Sequence, residues 1–258
     1  MASNERISIS IQPLQYSDIS TCARITSAAF SVDPHTIVKQ LGGDPFGMYT
    51  ISSSSFLDTL HKRNYIYVKA VDDQTGAIVG HAGWAFRGLD PELIPWRGPE
   101  DLKPTKDTNK QTQGKNLETS EPEKRVDSIT RLHALEDIDM QDWISNMVSA
   151  EKSCMIVVGL IVAPSYQSRG VGGALMRHGN TMADGLGLPI WVHSSHQAFE
   201  AYKKYGFVAA RQLDIDLDEY APRGPEEGEE VMGDKGSGRW GRYIIRYMKR
   251  VPKKSNGD

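Results

Sequence analysis

Apolar and polar positions alternate first at Ile7, Ile9 and Ile11, with Ser8, Ser10 and Gln12 between them. A period of two predicts a half-buried strand, closed by Pro13. The spacing then changes: Ile19, Cys22, Ala23, Ile25 and Ala29 fall on one helical stripe through Phe30, with Ser17 or Asp18 placed to cap it. Two shorter helices are expected near residues 34–41 and 53–63. The segment from Gly42 to Tyr49 between them is too rich in Gly, Pro and aromatics for a helix and reads as a loop. Two apolar runs, 65–71 and 77–86, flank Asp72-Asp73-Gln74-Thr75-Gly76 and predict an antiparallel hairpin. Gly80 and Gly83 in the second run mark a bulge or the close approach of another backbone.

Residues 97–127 are nearly empty of large apolar groups, a composition that cannot repay the entropy of ordering, and predict a flexible insertion. Helical spacing returns in Leu132, Leu135, Ile138, Trp143, Met147 and Val148, so a helix is expected to dock back on the core. The unbroken run from Met155 to Val162 predicts a strand covered on both faces. Val171, Ala174, Leu175, Met182, Ala183 and Leu186 follow on one side of a helix ending at Gly187. Pro189 to Val192 reads as a short buried strand closing in His193-Ser194-Ser195-His196. Gln197 to Tyr205 suits a helix stopped by Gly206. Residues 207–217 and 242–248 are the last strands. The order describes an α/β chain: one domain over 1–258, with a partly disordered insertion at about 89–152 and a flexible acidic loop at about 221–241.

Charge narrows the partners. A net charge of −3 gives no basic field for nucleic acid or an anionic membrane. With only Cys22 and Cys154, and Cys154 heading a buried strand, a disulfide framework is not expected. Neither a signal core nor a run of the roughly 20 apolar residues a spanning helix needs is present, so the expected location is cytoplasmic.

Chemistry concentrates where the long apolar strand meets the next helix. Gly170, Gly172 and Gly173 join the two, and strand, glycine turn and helix in that order form an anion cradle. Glycines admit close backbone approach, and the first N–H groups of a helix face an anion together with the positive dipole end. The turn Gln167-Ser168-Arg169-Gly170-Val171-Gly172 lacks the Gly-Lys-Ser/Thr ending of a nucleotide triphosphate loop. Nor does it match G-x-G-x-x-G with a later acidic residue for a ribose. What remains is a metal-free pyrophosphate cradle with Arg169 as counter-charge. No Cys/His/Asp/Glu cluster has metal-ligand spacing, and no metal is expected.

The string L-I-V-A-P-S-Y-Q-S-R-G-V-G-G-A-L resembles the acyl-CoA-binding motif of the GNAT acetyltransferase superfamily. A second segment, Ala201-Tyr202-Lys203-Lys204-Tyr205-Gly206-Phe207, is similar to the family's later motif, in which a Tyr stands four residues before Gly-Phe. The resemblance implies an α/β (α+β) fold with a mixed, mostly antiparallel, splayed sheet flanked by helices. It implies acetyl-CoA as donor and a primary amine of a small molecule or peptide as acceptor, in a monomer or homodimer. On the matching positions, Leu160, Ile161 and Val162 would offer backbone to the acetyl and pantetheine end. Gln167, Ser168, Arg169, Gly170, Val171, Gly172, Gly173 and Ala174 would wrap the pyrophosphate. Ser194 would contact the cofactor or cap the following helix.

Tyr202 takes the position of the family's general acid, protonating the departing thiolate, with a packed core aromatic as the alternative. The base stays open: residues 154–162 hold no carboxylate or histidine, which leaves His193, put forward as the catalytic one, and His81 nearest, Glu136, Asp137 and Asp139 on the inserted helix, a relaying water, or an acceptor that arrives neutral. Trp84, Phe86, Tyr49, Phe46 and Trp143 are candidate pocket aromatics. A non-catalytic acetyl-CoA sensor and an interaction module working through residues 97–127 are the alternatives to an enzyme.

Overall fold

The computed structural model describes residues 6–42, 46–104 and 127–253, so most of the expected flexible insertion lies outside the described residues. The strands are β1 (Ile9–Pro13), β2 (Tyr65–Asp72), β3 (Ile78–Arg87), β4 (Cys154–Val162), β5 (Ile190–Ser194), β6 (Val208–Asp216) and β7 (Arg242–Arg250). They form one mixed sheet in the order β1-β2-β3-β4-β5-β7-β6. Only β4 and β5 are parallel neighbours; every other pair is antiparallel. The helices are α1 (Ile19–Phe30), α2 (Pro34–Gln40), α3 (Met48–Thr59), α4 (Ser128–Asp142), α5 (Val171–Leu186) and α6 (Phe199–Lys204).

Strand alternation divides the side chains between two faces. On one, Ile66, Val68, Trp84, Met155, Val157, Ile190, Val192 and Met248 pack with Leu175 and Met176 of α5 and with Tyr202 and Phe207 around α6. On the other, Tyr67 meets Cys22 of α1 and Phe56 of α3, while Cys154, Trp191 and Tyr247 meet Trp143 and Val148 beyond α4. Both cysteines are free and buried. Full burial of a side chain such as Leu175 contributes about 1.5–3 kcal/mol. The α5 layer is further tied to the sheet by Arg250, whose guanidinium donates to both Asp184 oxygens at 2.8 and 2.7 Å.

The hairpin forms at the expected place. Gly76 takes φ +70°, Asp72 Oδ1 accepts from Gln74 N, and Gly76 N donates to Asp72 O. The two strand glycines have different duties. A Cβ on Gly80 would lie 2.8 Å from the Ile161 carbonyl oxygen, so the backbones approach there. At Gly83 the β3–β4 register slips, pairing Gly83 with Gly159 and Trp84 with Val157 and leaving Val158 as an extra residue.

Some boundaries differ from the sequence pattern. Helix α3 begins at Met48, five residues before its expected start at 53, because extended Gly47 opens it and the serines Ser52–Ser55 are ordinary helix positions, Ser52 and Ser55 facing the cleft. Asp18 stands at the N-cap of α1 but its carboxylate does not cap it, accepting instead from Gln15 N at 2.9 Å and Lys69 Nζ at 2.6 Å. Helix α4 runs on into one π-helical stretch, Trp143–Val148, a rare winding found most often at functional sites. Residues 221–241 hold no helix or strand, yet Trp240 is fully buried and its Nε1 donates to Arg223 O at 2.7 Å. An acidic, glycine-rich composition concealed this single large anchor.

Candidate active site

Strands β4 and β5 pair only from Met155 to Val157 against Ile190 to Val192. Beyond that point β4 stays bonded to β3 alone, and the sheet parts. Sequence pattern predicted a strand covered on both faces; instead Val158 is exposed and Leu160, Ile161 and Val162 are half-buried. The apolar run thus serves a core in its first half and a cleft wall in its second.

The cleft holds about 640 Å³. Val158, Gly159, Leu160 and Ile161 of β4, Val192 and His193 of β5, Ser195, and Tyr202 of α6 line it together. Because β5 alternates, His193 lies on the face of Trp143 and Tyr247, whereas Val192 and Tyr202 belong to the α5 face. The cleft therefore passes through the sheet at the parting, with Tyr202 on one side and His193 on the other.

At the C-terminal end of β4 the chain turns through Pro164–Tyr166, held by Ala163 N donating to Val79 O at 2.9 Å. Ser168 takes φ +61° and Gly170, the N-cap of α5, takes φ +93°. The first is strained, since a left-handed conformation costs a non-glycine residue about 1–2 kcal/mol. This geometry brings the N–H groups of Val171, Gly172 and Gly173, which have no acceptor within the helix, to the mouth of the turn. Gly173 has a second duty: a Cβ there would lie 2.3 Å from Tyr205 Oη. Arg169 lies over the Tyr166 ring, 5.1 Å from its centroid. Residues 167–174 stand past the cleft lining, at the end of the same strand that lines it.

Tyr202 is buried, meets Phe207 edge-on with ring centroids 5.2 Å apart, and its hydroxyl makes no hydrogen bond to another described residue. Burial raises its pKa well above the usual phenol value, so the proton stays on Oη across the physiological range. The αL turn at Gly206, with Phe207 N and Tyr205 N both donating to Tyr202 O, fixes the end of α6 and hence this ring.

His193 is open to water at the cleft wall while protein surrounds it on the other sides. Desolvation by that enclosure lowers its pKa to about 4, with Glu136 and Asp139 pulling upward and His35 and Lys39 downward. His81 also lines the cleft but is 3% exposed and hydrogen-bonded through Nε2 to Thr26 Oγ1 at 2.9 Å, a satisfied core histidine. Ser194 is buried and donates to Ser195 O at 3.0 Å. It does not cap α6, whose N-cap is Ala198.

On the His193 side, Asp33, His35 and Lys39 were not singled out in sequence, and Glu136 was assigned only to the inserted helix. Glu136 of α4 accepts from His35 Nε2 and from Lys39 Nζ at 2.6 Å, in a small adjoining cavity that His193 also lines. Burial opposes ionisation of Glu136, but these two partners prevail and bring its pKa down to about 2. Asp33 is buried in the cleft wall and caps α2. The signal for Asp33 was the Asp-Pro pair that opens a helix; the pairing of Glu136 across about a hundred residues left none. Of the expected pocket aromatics, Phe46 and Trp143 line the cleft and Trp84 and Phe86 are core. Tyr49 is exposed and does not line it.

Residues 103–214 match the family model of the acetyltransferase (GNAT) domain, a span that includes α4, β4, the cradle, α5, β5, α6 and most of β6. The stretch that holds the cradle is therefore similar to a GNAT acetyltransferase domain. Solved structures of acetyltransferases share this fold. An arylalkylamine N-acetyltransferase 7 of the yellow fever mosquito, a putative one, superposes with TM-score 0.54 at 14% identity, over 94% of this chain and 87% of that one. A mosquito arylalkylamine N-acetyltransferase-like 5b gives TM-score 0.52 at 16% identity, over 95% and 100%. A histone acetyltransferase HPA2 and related acetyltransferase of Corynebacterium glutamicum gives 0.50 at 16% identity, over 97% and 100%. At these identities the likeness is one of fold. No curated protein sequence matches the chain. Acetyl-group transfer is the activity that the matched family is named for.

Proposed function

We propose that the chain moves an acetyl group from acetyl-CoA directly to a primary amine of a small molecule or peptide, in a ternary complex. The observation that carries this reading is the cleft through the parted sheet, reached by Tyr202 from one face and His193 from the other. A donor entering from the cradle side and an acceptor from the α1–α4 side would meet there without an acyl-enzyme. The names of two structures of like fold, both arylalkylamine N-acetyltransferases, support an amine as acceptor.

Acetyl-CoA supplies an activated acyl carbon and a thiolate leaving group. Residues Gln167 to Ala174 would hold its pyrophosphate on the free N–H groups of α5, with Arg169 as counter-charge. The backbone of Leu160, Ile161 and Val162, freed from β5, would receive the pantetheine amides as an added strand. Ser194 contributes only through its backbone at the parting, its hydroxyl being turned onto Ser195 O. Tyr202 Oη delivers a proton to the departing sulfur and regains one from solvent. His193, neutral at pH 7 because of its low pKa, takes the proton the amine nitrogen loses, and water reaching its ring carries that proton away. The described elements from Ile9 to Arg250 share one sheet, which supports a single transferase domain.

The test is release of CoA thiol from acetyl-CoA with a panel of amines, for the wild type and Tyr202→Phe. General-acid catalysis is worth about 10²–10⁴-fold, so kcat should fall by about that factor with donor affinity intact. Unchanged turnover in the variant would remove Tyr202 as the acid. Acetyl-CoA binding with no CoA release from any amine would favour a sensor.

A further inference from the structure

The acceptor side of the cleft carries information about what it takes. Its walls come from three directions: Phe46, Ile51 and Phe56 around α3, Met140 and Trp143 at the end of α4, and Ile245 of β7. These are apolar or aromatic surfaces, and a polar group lodged among them without a partner is costly.

The charged groups in or beside them already have hydrogen-bond or ion-pair partners. The Glu136 carboxylate is shared between His35 and Lys39. Lys39 in turn lies 4.1 Å from the centroid of the Phe46 ring. Asp33 has no cationic partner in an ion pair among the described residues, but its lone pairs are taken. Thr36 N and Thr36 Oγ1 donate to Oδ2 at 2.9 and 2.8 Å, and Gln197 Nε2 and Tyr243 Oη donate to Oδ1 at 2.8 and 3.0 Å. A carboxylate has about four acceptor sites, and four donors fill them. Asp33 therefore offers the cleft one unanswered negative charge without an open lone pair. Its field favours one cation by charge alone, while a second would find neither an unanswered charge nor an acceptor. Asp137, exposed in water, lines only the small adjoining cavity of about 220 Å³.

Resting on the reading of this cleft as the acetyl-transfer site, we propose that the acceptor is a monoamine with an apolar, aryl-sized body. A polyamine or a lysine in a basic peptide does not fit this lining, which has apolar walls for one hydrophobic group and charge for one cation.

The test uses the full chain with acetyl-CoA and measures kcat/KM for 2-phenylethylamine, tryptamine, spermidine and a basic lysine-containing peptide. The aryl monoamines are expected to exceed spermidine and the peptide by at least about tenfold, the effect of 1–2 kcal/mol of differential binding. Ile51 is 44% exposed and lines the cleft, so Ile51→Asp should fold. A carboxylate there is expected to lower the phenylethylamine-to-spermidine ratio about tenfold or more. Preference for spermidine or the peptide in the wild type, or a ratio unmoved by Ile51→Asp, would overturn the monoamine assignment and leave the transferase reading standing. Failure of every amine to release CoA, with acetyl-CoA bound by calorimetry, would overturn both.

Discussion

The histidines show how one residue type is given separate work by its surroundings. His193 stands open to the cleft, whereas His81 is sealed between α1 and β3 with Thr26 as partner. Burial lowers the His81 pKa from the usual 6.5 to about 4. The unfolded chain takes up a proton near pH 6.5 and the folded chain resists until about 4, so protonation favours unfolding in that window. Stability from this residue is complete above pH 6.5 and is lost as pH falls toward 4, by about 3 kcal/mol in all. Urea unfolding at pH 7 and pH 4.5 should show a steeper acid loss for the wild type than for His81→Gln, and parallel losses would refute the assignment. Sequence put His193 ahead of His81 on local position alone, because the physical reason for the ranking lies in enclosure by elements distant in the chain.

At the scale of elements, the strand-turn-helix from β4 to α5 was legible almost in full, since its apolar run, glycines and helical stripe are local signals. The second duty of Gly173 was not, because its partner, Tyr205, arrives from the end of α6. Gly173→Ala puts a methyl where the Tyr205 hydroxyl stands, and overpacking of this kind costs about 1–3 kcal/mol. Lower thermal stability and weaker acetyl-CoA binding are expected together. Removing the hydroxyl in Gly173→Ala/Tyr205→Phe should recover most of both, since the next ring atom, Cζ, is 3.5 Å away. No recovery in the double variant would show that Gly173 serves the anion cradle alone. The longer α3 and the π-helical stretch after α4 escaped the sequence for a related reason: tertiary packing overrides weak local propensity.

Across the whole molecule, the cleft depends on the sheet being held from both sides. Trp240 packs with Val38, Ile129, Leu132, Ile215 and Tyr243, joining the 221–241 loop to α2, α4, β6 and β7. Truncation of a buried Trp typically costs about 3–5 kcal/mol, so Trp240→Ala should lower the urea midpoint by a large fraction of the protein's stability. A loss below about 1 kcal/mol would mean that the loop is peripheral. Fold class, the order of elements along the chain, the strand-glycine turn-helix unit and the helix that carries Tyr202 were determined by sequence alone, because periodicity, glycine placement and short-range motifs act within one or two elements. The parting of β4 from β5, the placing of Tyr202 and His193 on opposite faces, the ion pair of Lys39 with Glu136 and the four donors around Asp33 were decided only by tertiary structure. Each requires groups up to about two hundred residues apart to meet, and the energy of that meeting is absent from any local pattern.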